Sequence, residues 1–187
     1  MPSKWRRSAP SRPTGFEAAV ALWANAGTTA GKLLNAANGP DVMMLELIGW
    51  DTHSMQGGAT GNLASTFTAL DDTIGNLKTQ LGAAWTDTVV VAATEFGRTV
   101  KISGTLGTDH GVGTVAFVLG GAVKGGRVVA DWPGLAQANL FEGRDLKPTT
   151  DIRGVFKGVL RDLGAFRRVP SRPACSRTAP ACRRLRA

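Results

Sequence analysis

A short apolar run, Val42 to Ile48, is cut off by Gly49 and followed at once by Trp50-Asp51-Thr52-His53. The turn signal Asn38-Gly39-Pro40 precedes it. A run of this length between such breakers predicts a buried strand, with Glu46 either reaching a polar partner or marking a sheet edge. In open α/β sheets, ligands collect beyond the carboxyl ends of the strands. Asp51 and His53 would stand there, and His53 is one of only 2 histidines in the chain.

The next segments extend this frame. Leu63, Phe67, Leu70, Ile74, Leu77 and Leu81 repeat at alternating steps of four and three, which predicts an amphipathic helix. Thr88 to Thr94, rich in β-branched residues, predicts a second strand. Strand, helix and strand in that order predict a right-handed parallel βαβ unit whose strands are covered on both faces. A third strand is expected at Val115–Leu119 and a short hairpin strand at Arg127–Ala130. Upstream, apolar positions from Phe16 to Leu34 recur at three and four, so 14–37 is expected to be helical, with Gly27 as a candidate break. Thr150 is the expected N-cap of a final helix carrying Ile152, Val155, Phe156, Val159, Leu160 and Leu163 on one face.

At 187 residues, 43% hydrophobic and 19% charged, the chain suits one globular domain. The net charge of +8 raises the possibility of a nucleic-acid binder. Half of the 22 basic residues, however, lie in the terminal stretches 1–13 and 166–187, which carry no acidic residue. The intervening 13–166 is mildly acidic. Both termini are expected to be disordered basic tails without a recognition module, and no specific nucleic-acid partner is expected. Cys175 and Cys182, both in the C-terminal tail, make neither a disulfide framework nor a zinc site. No apolar run approaches the roughly 20 residues of a membrane span. Pro10, Pro13 and Glu17 interrupt any secretory apolar region after Arg6-Arg7, so no export signal is expected and the compartment stays open.

Three loops gather the residues able to do chemistry: Asp51 and His53, then Glu95 and Arg98, then Asp109 and His110. Each of these alone reads as an Asx turn or a surface group. Both histidines having a neighbouring Asp, in loops expected at one sheet edge, makes a shared metal site the better reading. Carboxylates and imidazoles suit Zn, Mn or Fe and, with more oxygen, Mg or Ca. Arg98 is the candidate for holding a substrate anion.

Gly49-Trp50-Asp51-Thr52-His53, Thr94-Glu95-Phe96-Gly97-Arg98-Thr99, Gly107-Thr108-Asp109-His110-Gly111 and Leu119-Gly120-Gly121-Ala122-Val123-Lys124-Gly125-Gly126 resemble the bacterial family known as domain of unknown function 1501. Asp131-Trp132-Pro133-Gly134-Leu135 and Asp145-Leu146-Lys147-Pro148-Thr149-Thr150-Asp151 continue the resemblance, which spans about 14–164. The resemblance implies an alkaline-phosphatase-like, sulfatase-like superfamily. It implies a three-layer α/β/α sandwich with a mostly parallel sheet, of which 14–165 would be an incomplete C-terminal half, and a metal site at the strand ends. Asp51 and His53 resemble an Asp and a His that bind one ion there, although one residue separates them where three are usual. Glu95 stands where the Asp of an Asp-His pair would be, with Phe96 in place of the His, and His110 resembles a late histidine of the first site.

The implied nucleophile belongs to an earlier portion of such proteins. Thr52, Ser54, Thr94 and Thr108 are the hydroxyls beside the proposed ligands. The resemblance therefore implies part of a metal-dependent phosphate- or sulfate-ester hydrolase acting on small anionic esters, inactive by itself, and an apolar sheet edge prone to self-association. The alternative is a non-catalytic binding module.

Overall fold

The computed structural model describes residues 16–162; the tails expected at 1–13 and 166–187 lie outside them. Its elements are α1 (Phe16–Leu34), α2 (Asn62–Leu81), a 3-10 helix at Gly82–Asp87, β1 (Val90–Ala92), β2 (Gly97–Arg98), β3 (His110–Gly111), β4 (Phe117–Leu119), a 3-10 turn at Gln137–Asn139 and α3 (Ile152–Asp162). The chain divides into two compact units after Pro148.

In the first unit α1 packs along α2. Helix α1 runs unbroken through Gly27, and the reason is the close approach of α2. A Cβ on Gly27 would fall on the Thr73 carbonyl oxygen, and one on Gly31 would lie 2.5 Å from the Gln80 Cβ. Glycine there costs helix propensity, but it lets two backbones come together. The face α2 turns to α1 is correspondingly small. Its buried residues are Thr66, Ala69, Thr73, Leu77 and Leu81. The hydroxyls of Thr66 and Thr73 donate to the carbonyls four residues back, at 2.7 Å each, so burying them leaves no donor unmet. Ala30, Leu77 and Leu81 form the apolar centre, with Leu34, Met43, Trp85 and Val90 against it. From the middle of the expected stripe, Phe67, Leu70 and Ile74 face the strands and line an open apolar groove of about 170 Å³ with Ala92, Phe117 and Leu119.

The sheet departs from the sequence reading. Among the described residues there are only two short antiparallel pairs, β1 with β4 and β2 with β3. Among these residues no parallel three-layer α/β/α sandwich is formed. Val42–Ile48 forms no regular element and joins no ladder, and Val42, Met44 and Ile48 are exposed. Only Met43 and Leu47 turn partly inward. An apolar run specifies extension and burial; it does not specify a hydrogen-bonding partner, and here the helices cover one face only. The return of the chain through β2 and β3 brings Phe117–Leu119 back against Val90–Ala92 in the opposite direction, in register Val91 to Val118. That pairing takes the strand that a parallel βαβ unit would have used. Arg127–Ala130 forms no strand, and Val128 and Val129 are almost fully exposed.

An aromatic series ties the site-bearing segment to this frame. Trp23 of α1 stacks on Trp50 at 5.8 Å, Trp50 meets Phe67 edge-on at 5.0 Å, and Phe67 meets Phe117 of β4 at 6.4 Å. Trp50, held from two sides, immediately precedes Asp51.

In the second unit Asp151, not Thr150, caps α3: its carboxylate accepts the backbone N–H of Arg153 at 2.9 Å. The Arg153 side chain returns to the same carboxylate and holds its pKa down at about 2.

Candidate metal centre

Two loops, remote in sequence, are laced together to make the site. Thr108 N–H donates to the Thr52 carbonyl at 3.3 Å, Met55 N–H to Thr105, and Gln56 N–H to Leu106. The Thr105 hydroxyl donates to the His53 carbonyl at 2.6 Å. Gly107 permits this contact, because a Cβ there would collide with the Thr52 and His53 carbonyls. The Asp109 backbone is pinned to Thr99 at both polar groups: Thr99 N–H donates to its carbonyl at 2.9 Å, and its N–H donates to the Thr99 hydroxyl at 3.1 Å.

Three nitrogens converge on one oxygen. His53 Nε2 lies 3.0 Å, His110 Nε2 2.9 Å and Arg98 Nη1 2.5 Å from Asp51 Oδ1. The ligand atoms of Asp51, His53 and His110 all lie within 4.8 Å of one another. Asp109 stands behind His53, with Oδ1 3.1 Å from Nδ1. Glu95 is exposed in the turn before β2 and is not one of that triad.

Each ring has its own support. His110 stacks on Phe96 at 4.1 Å and tilts toward His53 at 4.8 Å. Arg98 is the most buried of the charged groups: its Nε donates to the Thr108 hydroxyl at 2.9 Å and its Nη2 to the Thr108 carbonyl. The Thr52 and Thr108 hydroxyls, both buried, donate to Gln56 Oε1 at 2.8 Å each. Gln56 and the two threonines carry no spacing signal of their own. Their only mark is that each threonine adjoins a site residue, in Asp51-Thr52-His53 and Thr108-Asp109-His110.

Desolvation pushes the Asp51 carboxyl pKa up, but hydrogen bonds from Arg98 and His110 and the charges of the two imidazoles outweigh it, and the net shift is downward. Asp51 is therefore an anion at neutral pH. One carboxylate and two imidazoles form a donor set suited to zinc and similar ions. Around a tetrahedral ion with bonds of about 2.0–2.1 Å, ligand atoms stand roughly 3.3 Å apart. The two carboxylate–imidazole contacts, at 3.0 and 2.9 Å, lie within a few tenths of an ångström of that spacing, and the two imidazole ligand atoms lie within 4.8 Å of each other. The three side chains are about half exposed. The residues fit a divalent ion.

A family model described as "Protein of unknown function (DUF1501)" matches residues 18–165. No curated protein and no solved structure matches the chain.

Proposed function

The chain belongs to the DUF1501 family of proteins of unknown function, and from that premise we propose that it carries a divalent-metal centre, held by Asp51, His53 and His110, in a sulfatase-like protein acting on phosphate or sulfate esters. The observation that carries this reading is the convergence of both histidines and Asp51 from loops more than fifty residues apart. An ion bound there supplies Lewis acidity toward a phosphoryl or sulfuryl oxygen. The chain's own groups do the rest. Arg98 has five N–H donors; three are used on Thr108 and Asp51, and those left are available to an anion's oxygens. The Thr108 and Gln56 contacts hold the guanidinium in place before any anion arrives.

A second reading, a metal- or anion-binding module without turnover, is favoured by the hydroxyls. Thr52 and Thr108 already donate to Gln56, and Thr94 to the Phe96 carbonyl at 2.7 Å. None of these three is free to attack an ester while those bonds stand.

Zinc titration tests the centre. One ion per chain is expected, lost in His53→Ala and in His110→Ala and kept in Asp71→Ala on α2; uptake unaffected by both histidine substitutions would refute it. Aryl phosphates and aryl sulfates separate the two readings. The chain alone is expected to hydrolyse neither above background, and metal-dependent turnover abolished by Asp51→Ala would set aside the module.

A further inference from the structure

The two faces of His53 are engaged by different carboxylates, and only one of these belongs to the triad. Nε2 points to Asp51 Oδ1 at 3.0 Å, while Nδ1 points to Asp109 Oδ1 at 3.1 Å. A neutral imidazole has one N–H, and an ionised carboxylate can only accept. Which carboxylate receives that proton decides which nitrogen is left with a lone pair for an ion.

We propose that Asp109 is a positioning residue: it takes the Nδ1 proton of His53 as a hydrogen bond and so presents Nε2, unprotonated and correctly turned, to the ion. This rests on the metal centre proposed above. Three observations carry it. Asp109 is fixed through its backbone to the buried Thr99, and His53 through its carbonyl to Thr105, so the pair is not two loose surface chains meeting by chance. The ligand atoms of the triad lie within 4.8 Å of one another, and Asp109 is outside that group. The contact is also too exposed, at 46% and 61%, to contribute much to folding. A carboxylate bonded to the outer nitrogen of a metal-binding histidine fixes its tautomer and ring orientation, and losing it typically weakens metal affinity by about 10–100-fold. His110 reaches the same end by other means, since its ring is held by stacking on Phe96.

The test uses zinc itself, competed against a chelator, with cobalt absorption reporting coordination and nitrogen-15 NMR reporting the His53 tautomer. Asp109→Ala is expected to bind one zinc with affinity about 10–100-fold weaker, with the cobalt spectrum and the thermal midpoint of the metal-free chain unchanged. Asp109→Asn, whose amide oxygen still accepts, should recover most of the loss. In the zinc-loaded chain, His53 should carry its proton on Nδ1, and the Nδ1–H resonance should lose its carboxylate hydrogen-bond shift in Asp109→Ala. Equal zinc affinity in Asp109→Ala and the unsubstituted chain would overturn the proposal. A cobalt spectrum altered by Asp109→Ala would do so too, by making Asp109 a ligand. An unsubstituted chain that binds no zinc contradicts the metal centre itself, a result distinct from either.

Discussion

Asp51 Oδ1 accepts from or faces three nitrogens at once, an arrangement that folding stability alone does not require of a half-exposed side chain. Among the influences lowering its pKa, the Arg98 hydrogen bond is the largest. In Arg98→Ala the Asp51 carboxyl should therefore titrate closer to the ordinary 3.8, as followed by carbon-13 NMR. The sign for stability follows from the depressed value. Whatever Asp51 contributes is fully present above the ordinary carboxylate range and is lost as pH falls through its lower folded value. The stability difference between the unsubstituted chain and Arg98→Ala should thus be constant near neutrality and narrow only below about pH 4. An Asp51 midpoint unmoved by the substitution would show that the guanidinium is not what holds the carboxylate ionised. That Asp51, His53, Asp109 and His110 stand together was legible because each histidine of so histidine-poor a chain has an Asp within two positions. Which oxygen faces which nitrogen was not, since that depends on loops meeting through Thr105 and Gly107, contacts that no local pattern encodes.

Among the elements, the helices and the places of β1 and β4 were readable, and the pairing of the strands was not. The three-four periodicity of α2 sets its extent, but the stripe splits between two neighbours: Leu77 and Leu81 pack on α1, while Phe67, Leu70 and Ile74 line the groove beside β1 and β4. Between them the small residues Thr66, Ala69 and Thr73 turn to α1. Gly27 looked like a helix break because glycine lacks propensity, yet it marks where α1 meets the Thr73 carbonyl. The two effects have opposite signs, so a substitution can weigh them. Gly27→Ala would gain about 0.5–1 kcal/mol of helix propensity, but the added methyl meets backbone that cannot swing aside, and such overpacking costs about 1–3 kcal/mol. Net destabilisation of about 1–2 kcal/mol is expected in urea unfolding, and a stabilised variant would contradict the close packing of the two helices. Strand partners were illegible for a different reason. Val42–Ile48 and Thr88–Thr94 have the composition of parallel strands, but pairing is a long-range choice, and β4 returns antiparallel to occupy β1.

For the molecule as a whole, the frame serves the site: α1 and α2 fix Trp50 through Trp23 and Phe67, Trp50 leads into Asp51, and the β2–β3 pair sets Arg98 opposite His110. No helix among the described residues is long and apolar enough to cross a membrane. The chain contains just 2 histidines, and both belong to the proposed centre. X-ray absorption at the zinc edge counts coordinated imidazoles directly through their outer-ring scattering. The loaded chain should show two imidazoles per zinc, with oxygen completing the shell, and His110→Ala should show one at most. A shell of oxygen alone, or a single imidazole in the unsubstituted chain, would mean that Asp51, His53 and His110 do not form one centre.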